Sequence, residues 1–157
     1  MDIGNLEIQI ANYLRDNLTP LGFDAVPLPE TESEFLKPFI RGKVTVAFTG
    51  EKPATVQSIN YVSQHVTLTF TCSLQSRFLR GENGIHKLAE LVKKILIGYE
   101  PTDCGRLYYT SHDFVKYDSG IWEHAVDFEC KTLRVQEIFE PETAAPITDI
   151  KLDESFG

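Results

Sequence analysis

Glu123 and Asp127 stand four residues apart in a run, residues 121–131, that alternates between apolar and polar side chains. On a strand that spacing puts both carboxylates on one face, where such a pair can act as acid and base, or acid and nucleophile, on a glycosidic bond. Nothing else in the run builds a cleft around them, so the plainer expectation is a solvated face that also carries Glu129. Ser111-His112-Asp113 sets three triad residue types side by side. A triad must converge in space, and neighbours on a strand point to opposite faces, so this run cannot form one. His65, His86, His112 and His124 include no H-x-x-x-H or H-E-x-x-H pair, which leaves a zinc site without support. His124 is in phase with Trp122 and Val126 and is expected to be a core or half-buried side chain. Gly81 and Gly84 frame a turn that could cradle an anion at a helix start, but Glu82 inside it would repel phosphate. No catalytic residue, metal or cofactor is expected, and the chain reads as a non-enzyme.

Cys72, Cys104 and Cys130 are odd in number and far apart, with no C-x-x-C pair. They read as reduced thiols of a cytosol-made protein, and Cys72 and Cys130 fall in phase with apolar strand positions. The formal net charge is −8, from 15 basic and 23 acidic residues. An acidic chain is a poor candidate for binding a phosphate backbone, which needs clustered Lys and Arg. From Glu137 onward six acids face one base, Lys151, so −5 of the −8 lies in the last segment. No run of about 18 apolar residues suggests a membrane span. The first residues lack the basic and apolar parts of a secretion signal, so Asn17-Leu18-Thr19 reads as a chance sequon.

These side chains need elements to hold them. Ile3, Leu6, Ile10, Tyr13 and Leu14 have helical spacing, which predicts a helix over 2–18 closed by Pro20 and Gly22. Residues 23–42 are rich in Pro and acid and read as a long loop. Phe35, Leu36 and Phe39 form an apolar island in it, either a satellite of the core or an anchor facing a partner. Residues 43–49 alternate as a strand that 51–54 breaks, and 61–75 alternate as a longer strand with Val66, Leu68, Phe70, Cys72 and Leu74 on one face. Ile85, Leu88, Val92, Ile95 and Leu96 mark a second helix, stopped by Gly98 and barred from resuming by Pro101. Residues 106–117 are the least clear strand, with a bulge or bend suggested near His112-Asp113. Residues 121–131 complete the pattern, with Trp122, His124, Val126, Phe128 and Cys130 inward. The expected fold is α+β in two layers: two helices on one face of an antiparallel sheet of about four strands, with a long loop in the N-terminal half. Residues 1–137 read as one domain. Residues 138–157, with Pro141, Pro146 and sparse Ile147, Ile150, Leu152 and Phe156, read as a disordered tail or as an arm that orders on a partner.

One stretch of this pattern resembles a known family. Leu79-Arg80-Gly81 before the second helix, Gly98-Tyr99-Glu100-Pro101 after it, Cys104-Gly105, Phe114-Val115 and Gly120-Ile121-Trp122, together with Val46-Ala47-Phe48-Thr49-Gly50, resemble the Mu-like phage tail terminators over roughly residues 43–136. The resemblance implies a structural virion protein made in the host bacterial cytoplasm. Such proteins form a ring, usually six-fold, on the head-proximal end of the tail tube. The ring stops tube growth and offers a joining surface for the neck or connector. In contractile tails it also engages the sheath.

Subunit and partner contacts in such a ring are expected from Phe35, Leu36, Phe39, Arg77, Arg80 and the apolar points of the last segment. Glu123, Asp127 and Glu129, beside Thr67, Thr69 and Thr71, are candidates to line a lumen through which DNA passes without adhering, since like charges repel. Reversing the three carboxylates to Lys should then slow DNA ejection. Two other readings stay open: a neck or head-completion connector, and a small-ligand α+β domain with a pocket near Trp122 and His124.

Overall fold

The computed structural model describes residues 1–56 and 60–139. Helix α1 (Ile3–Leu18) starts where the Asp2 carboxylate accepts the Asn5 N–H at 3.0 Å, filling an otherwise orphaned donor. Its buried side chains, Leu6, Ile10, Ala11, Leu14 and Leu18, form one stripe. Helix α3 (Ile85–Leu96) buries Ile85, Leu88, Ala89, Val92 and Leu96. Gly98, at φ 92°, takes the left-handed conformation that turns the chain out of this helix. The Tyr13 and Tyr99 rings stack at 4.1 Å between the exits of the two helices.

The sheet has five strands in the order β1-β2-β3-β5-β4. These are β1 (Asp24–Pro27), β2 (Gly42–Val56), β3 (Ser63–Ser76), β4 (Tyr108–Asp118) and β5 (Ile121–Val135). All neighbours are antiparallel except β1, which pairs parallel with β2 from Asp24–Lys43 to Pro27–Val46. Both helices lie on one face, over Val44, Val46, Leu68, Phe70, Cys72, Leu74, Val126, Phe128 and Cys130, all essentially inaccessible. Phe48 meets Phe70 edge to face at 5.8 Å across the β2–β3 pair.

The α+β class and the one-sided helical layer match the sequence pattern. The strand count, helix count and strand directions do not: the sheet is five-stranded and mixed, and a third helix is present. Both extra elements lie in the segment read as a loop. β1 escapes the alternation test because it has four residues and ends in Pro27, which an edge strand tolerates. It nonetheless buries Ala25, with Phe23 just before it. Helix α2 (Glu32–Phe35) is a single turn whose N-terminus is capped by Thr31. The expected break at 51–54 does not end the strand but coincides in part with a register shift between Pro53 and Val56. β2 continues to Val56 after a register shift between Phe48 and Gly50, and pairs with β3 as far as Gln64. In β4 the register shifts lie between Tyr109 and Ser111 and between Phe114 and Lys116, on either side of the expected bend rather than at it.

Candidate functional site

The face of the sheet away from the helices carries a row of hydroxyl–carboxylate hydrogen bonds, produced by strand alternation. On β3, Thr69, Thr71 and Ser73 point away from the core; on β5, Glu123, Asp127 and Glu129 do the same, and the register sets Thr71 beside Asp127 and Thr69 beside Glu129. Thr71 donates to one Asp127 oxygen at 2.6 Å, and Ser111 of β4 donates to the other at 3.0 Å. Ser73 donates to Glu123 at 3.2 Å, and Tyr108 donates through its hydroxyl to Glu129 at 3.2 Å. Thr49 continues the row into β2, 2.8 Å from the Thr71 hydroxyl. Among the described residues, hydroxyls serve the three carboxylates directly, and Lys131 reaches Glu129 only through the Tyr108 hydroxyl.

This arrangement presents a fixed negative surface. Four residue steps of the strand separate Glu123 from Asp127, about 13 Å along the chain and beyond the carboxylate spacing of glycoside hydrolysis. The predicted face is thus present, and its hydroxyl partners Tyr108 and Ser111 come from β4, whose two register shifts hide its phase in the sequence.

Ser111 and His112 diverge as expected: Ser111 reaches Asp127 on the open face, while His112 turns to His124 on the helical side. His124 is buried and meets His86 of α3 edge to face at 5.7 Å. Burial lowers the pKa of both His112 and His124; Lys93 adds to this for His112, and the His112 ring does so for His124. Phe114 lies edge to face against both Trp122 and His124, and Tyr117 lies against Trp122. Around Trp122 and His124, where a ligand pocket was one expectation, the rings of Phe114, Tyr117 and His112 pack against these two side chains. A hollow of about 530 Å³, lined by His65, Lys131 and Leu133 among others, lies toward the opposite end of β5.

The three cysteines are free and buried. Burial pushes the Cys72 thiol up, and burial beside Cys104 pushes Cys130 up to about 12, so these sulfurs are protonated packing groups. Among the described residues no group of three or more His, Cys, Asp or Glu side chains is arranged to hold a metal ion.

Of the expected contact residues, Phe39 and Arg77 meet at the corner of the sheet where β2 begins and β3 ends, while Phe35 ends helix α2 and Leu36 follows it. Phe35 and Leu36 are exposed at 51% and 72%. Phe39 is half-buried, with the Arg77 guanidinium 5.2 Å and the Lys43 ammonium 6.0 Å from its ring centre. Arg80 is exposed in the turn before α3, where its backbone lies so close to Gly84 that a Cβ there would come within 2.6 Å. Ile40, 89% exposed and next to Phe39, lines the same hollow as Phe39 and extends the apolar island read from the sequence by one residue. Ile147, Ile150, Leu152 and Phe156 lie outside the described residues.

With this geometry in view, three comparisons bear on the chain. A family model described as Gp37 protein matches residues 10–154. No curated protein matches the sequence. A chain in the solved virion of a native gene transfer agent (GTA) particle has the same fold, with a TM-score of 0.55 and 14% identity over 80% of this chain and 92% of that one.

Proposed function

This chain belongs to the Gp37 protein family, and from that premise we propose that it is a structural virion protein: a tail terminator that caps the head-proximal end of a tail tube. The observation that carries the reading is the fold shared with a chain built into a gene transfer agent virion, over nearly all of that chain. The open face supports it. A sheet face held by hydroxyl–carboxylate bonds, with no apolar cover, suits the wall of a channel that DNA traverses without sticking. The exposed apolar side chains Phe35, Leu36 and Ile40 supply surface that a subunit contact needs.

In this role copies of the chain close into a ring, six-fold on the terminator pattern, through repeated heterologous contacts. The ring seats on the tail-tube protein, stops its polymerisation and presents its other side to the neck or connector, with the sheath as a further partner in a contractile tail. Its place is the virion, at the top of the tail. Native mass spectrometry of the purified chain, with and without tail-tube protein, tests the proposal. A ring formed alone or on the tube supports it. A chain that ignores the tube and binds connector subunits instead makes it a neck or head-completion protein, and a monomer that binds neither overturns the virion reading.

A further inference from the structure

The last segment and the Phe39 corner are complementary in both charge and apolar content. Residues 140–157 carry five acids, one base, and Ile147, Ile150, Leu152 and Phe156. The family match runs through residue 154 and so includes most of this segment. At the corner, a hollow of about 350 Å³ is lined by the apolar Phe23, Pro38, Phe39 and Ile40 and by the polar Thr19 and Asp24 among others. Lys43 and Arg77 stand over the Phe39 ring, and the Arg41 guanidinium lies beside Gly22 of the hollow's wall, donating to the Leu21 carbonyl at 3.3 Å. Among the described residues neither Arg41, Lys43 nor Arg77 makes an ion pair with a carboxylate. A hollow with apolar side chains in its wall, beside cations that make no ion pair among the described residues, suits an acidic segment with spaced apolar side chains.

The two features lie at opposite ends of the molecule. The corner is at the Ser76–Trp122 end of the β3–β5 pair, while the chain leaves at the Ser63–Val135 end, where Gln136 is tied to Val62 in both directions. Thirteen residue steps of β5 separate these ends, about 43 Å. Ile147 is eleven residues past Gln136, so its reach is at most about 40 Å. A chain's own corner is thus beyond Ile147, whereas Phe156, twenty residues past Gln136 with a reach of at most about 72 Å, can span the distance. The corner of a copy placed head to tail is close to the exit point and can take all four apolar side chains. We infer that residues 140–157 of one copy dock in the Phe39–Arg77 corner of the next, which makes the segment the linker of successive subunits. This rests on the ring reading, since copies must meet head to tail.

The test uses full-length chain carrying Phe156→p-benzoylphenylalanine, mixed in equal parts with ¹⁵N-labelled chain lacking the photoreactive group, with and without tail-tube protein. After irradiation, peptides spanning the substituted position should be found joined to the labelled copy's peptides around Phe39 and Arg77. Arg77→Glu with Arg80→Glu in the labelled copy should lower that yield by about tenfold, as loss of two exposed ion pairs implies, with thermal unfolding unchanged. Asp153→Lys with Glu154→Lys in the photoreactive copy should restore it. Links within single copies only, links to the tube protein only, or no mixed link in either preparation overturn the inference. A ring on the tube without the mixed link would leave the terminator reading standing. Mixed links in a chain that ignores the tube would keep the contact and remove that reading.

Discussion

His112 Nε2 and His124 Nδ1 stand 2.7 Å apart across the β4–β5 pair, a distance at which one ring must donate and the other accept. His86, Lys93 and Glu90 face this pair from α3, and Asp113 flanks it on β4. A second proton would put two cations in contact, next to Lys93. Burial and the nearby cations already hold both rings below the ordinary histidine range, whereas the unfolded chain takes up protons near pH 6.5. The unfolded state therefore binds more protons as the pH falls below that value. Stability is fully present above about pH 6.5 and is lost as acid is added. Thermal unfolding between pH 7.5 and 5 should show Tm falling with pH. In His112→Gln, which bonds without titrating, the fall should be shallower. An equal fall in both proteins would remove the pair as its cause.

Phe70 is 1% exposed at the centre of the core, against Phe48. Phe70→Ala should cost about 3–5 kcal/mol, from lost burial plus the cavity left behind. Urea denaturation measures this as a lower midpoint at unchanged slope.

Gly84 caps α3 while its Cα faces the backbone of Arg80, so any Cβ would meet main-chain atoms at 2.6–2.7 Å. Backbone cannot swing aside as a long side chain does. Gly84→Ala should force open the turn of residues 78–84 and destabilise by about 1–3 kcal/mol. Amide hydrogen exchange should quicken first at Ile85, whose N–H donates to the Phe78 carbonyl.

The lumen role of Glu123, Asp127 and Glu129 is tested more cleanly by neutral isosteres than by Lys, because Thr71, Ser111, Ser73 and Tyr108 need acceptors. Glu123→Gln, Asp127→Asn and Glu129→Gln together should leave ring assembly intact, cost about 1 kcal/mol each at most, and slow DNA ejection. Ejection at the unmutated rate would separate this face from the DNA path.

Where one face of an element is buried and its phase is unbroken, the sequence was enough to place it. β3 alternates from Val66 to Leu74 with no shift in its pairing to β5, and the open-face acids of β5 followed from the same rule. Where phase breaks, the pattern was lost. The shift after Phe48 hid the far half of β2, which runs beyond the helical layer and so has no apolar side to show. The two shifts in β4 concealed Tyr108 and Ser111 as partners of Glu129 and Asp127. Arg77 over Phe39, and His86 against His124, join residues 38 positions apart, and no local period reports such contacts.

The broken register of β4 has one more effect. As the outermost strand on its side, it offers backbone groups to any passing strand, but only in straight pieces: Tyr108–Tyr109, Ser111–Phe114 and Lys116–Asp118. A newcomer would lose step at each kink before its hydrogen bonds could accumulate. Freshly made copies crowded together are thereby kept from zippering sheet onto sheet into fibres, and remain available as separate molecules.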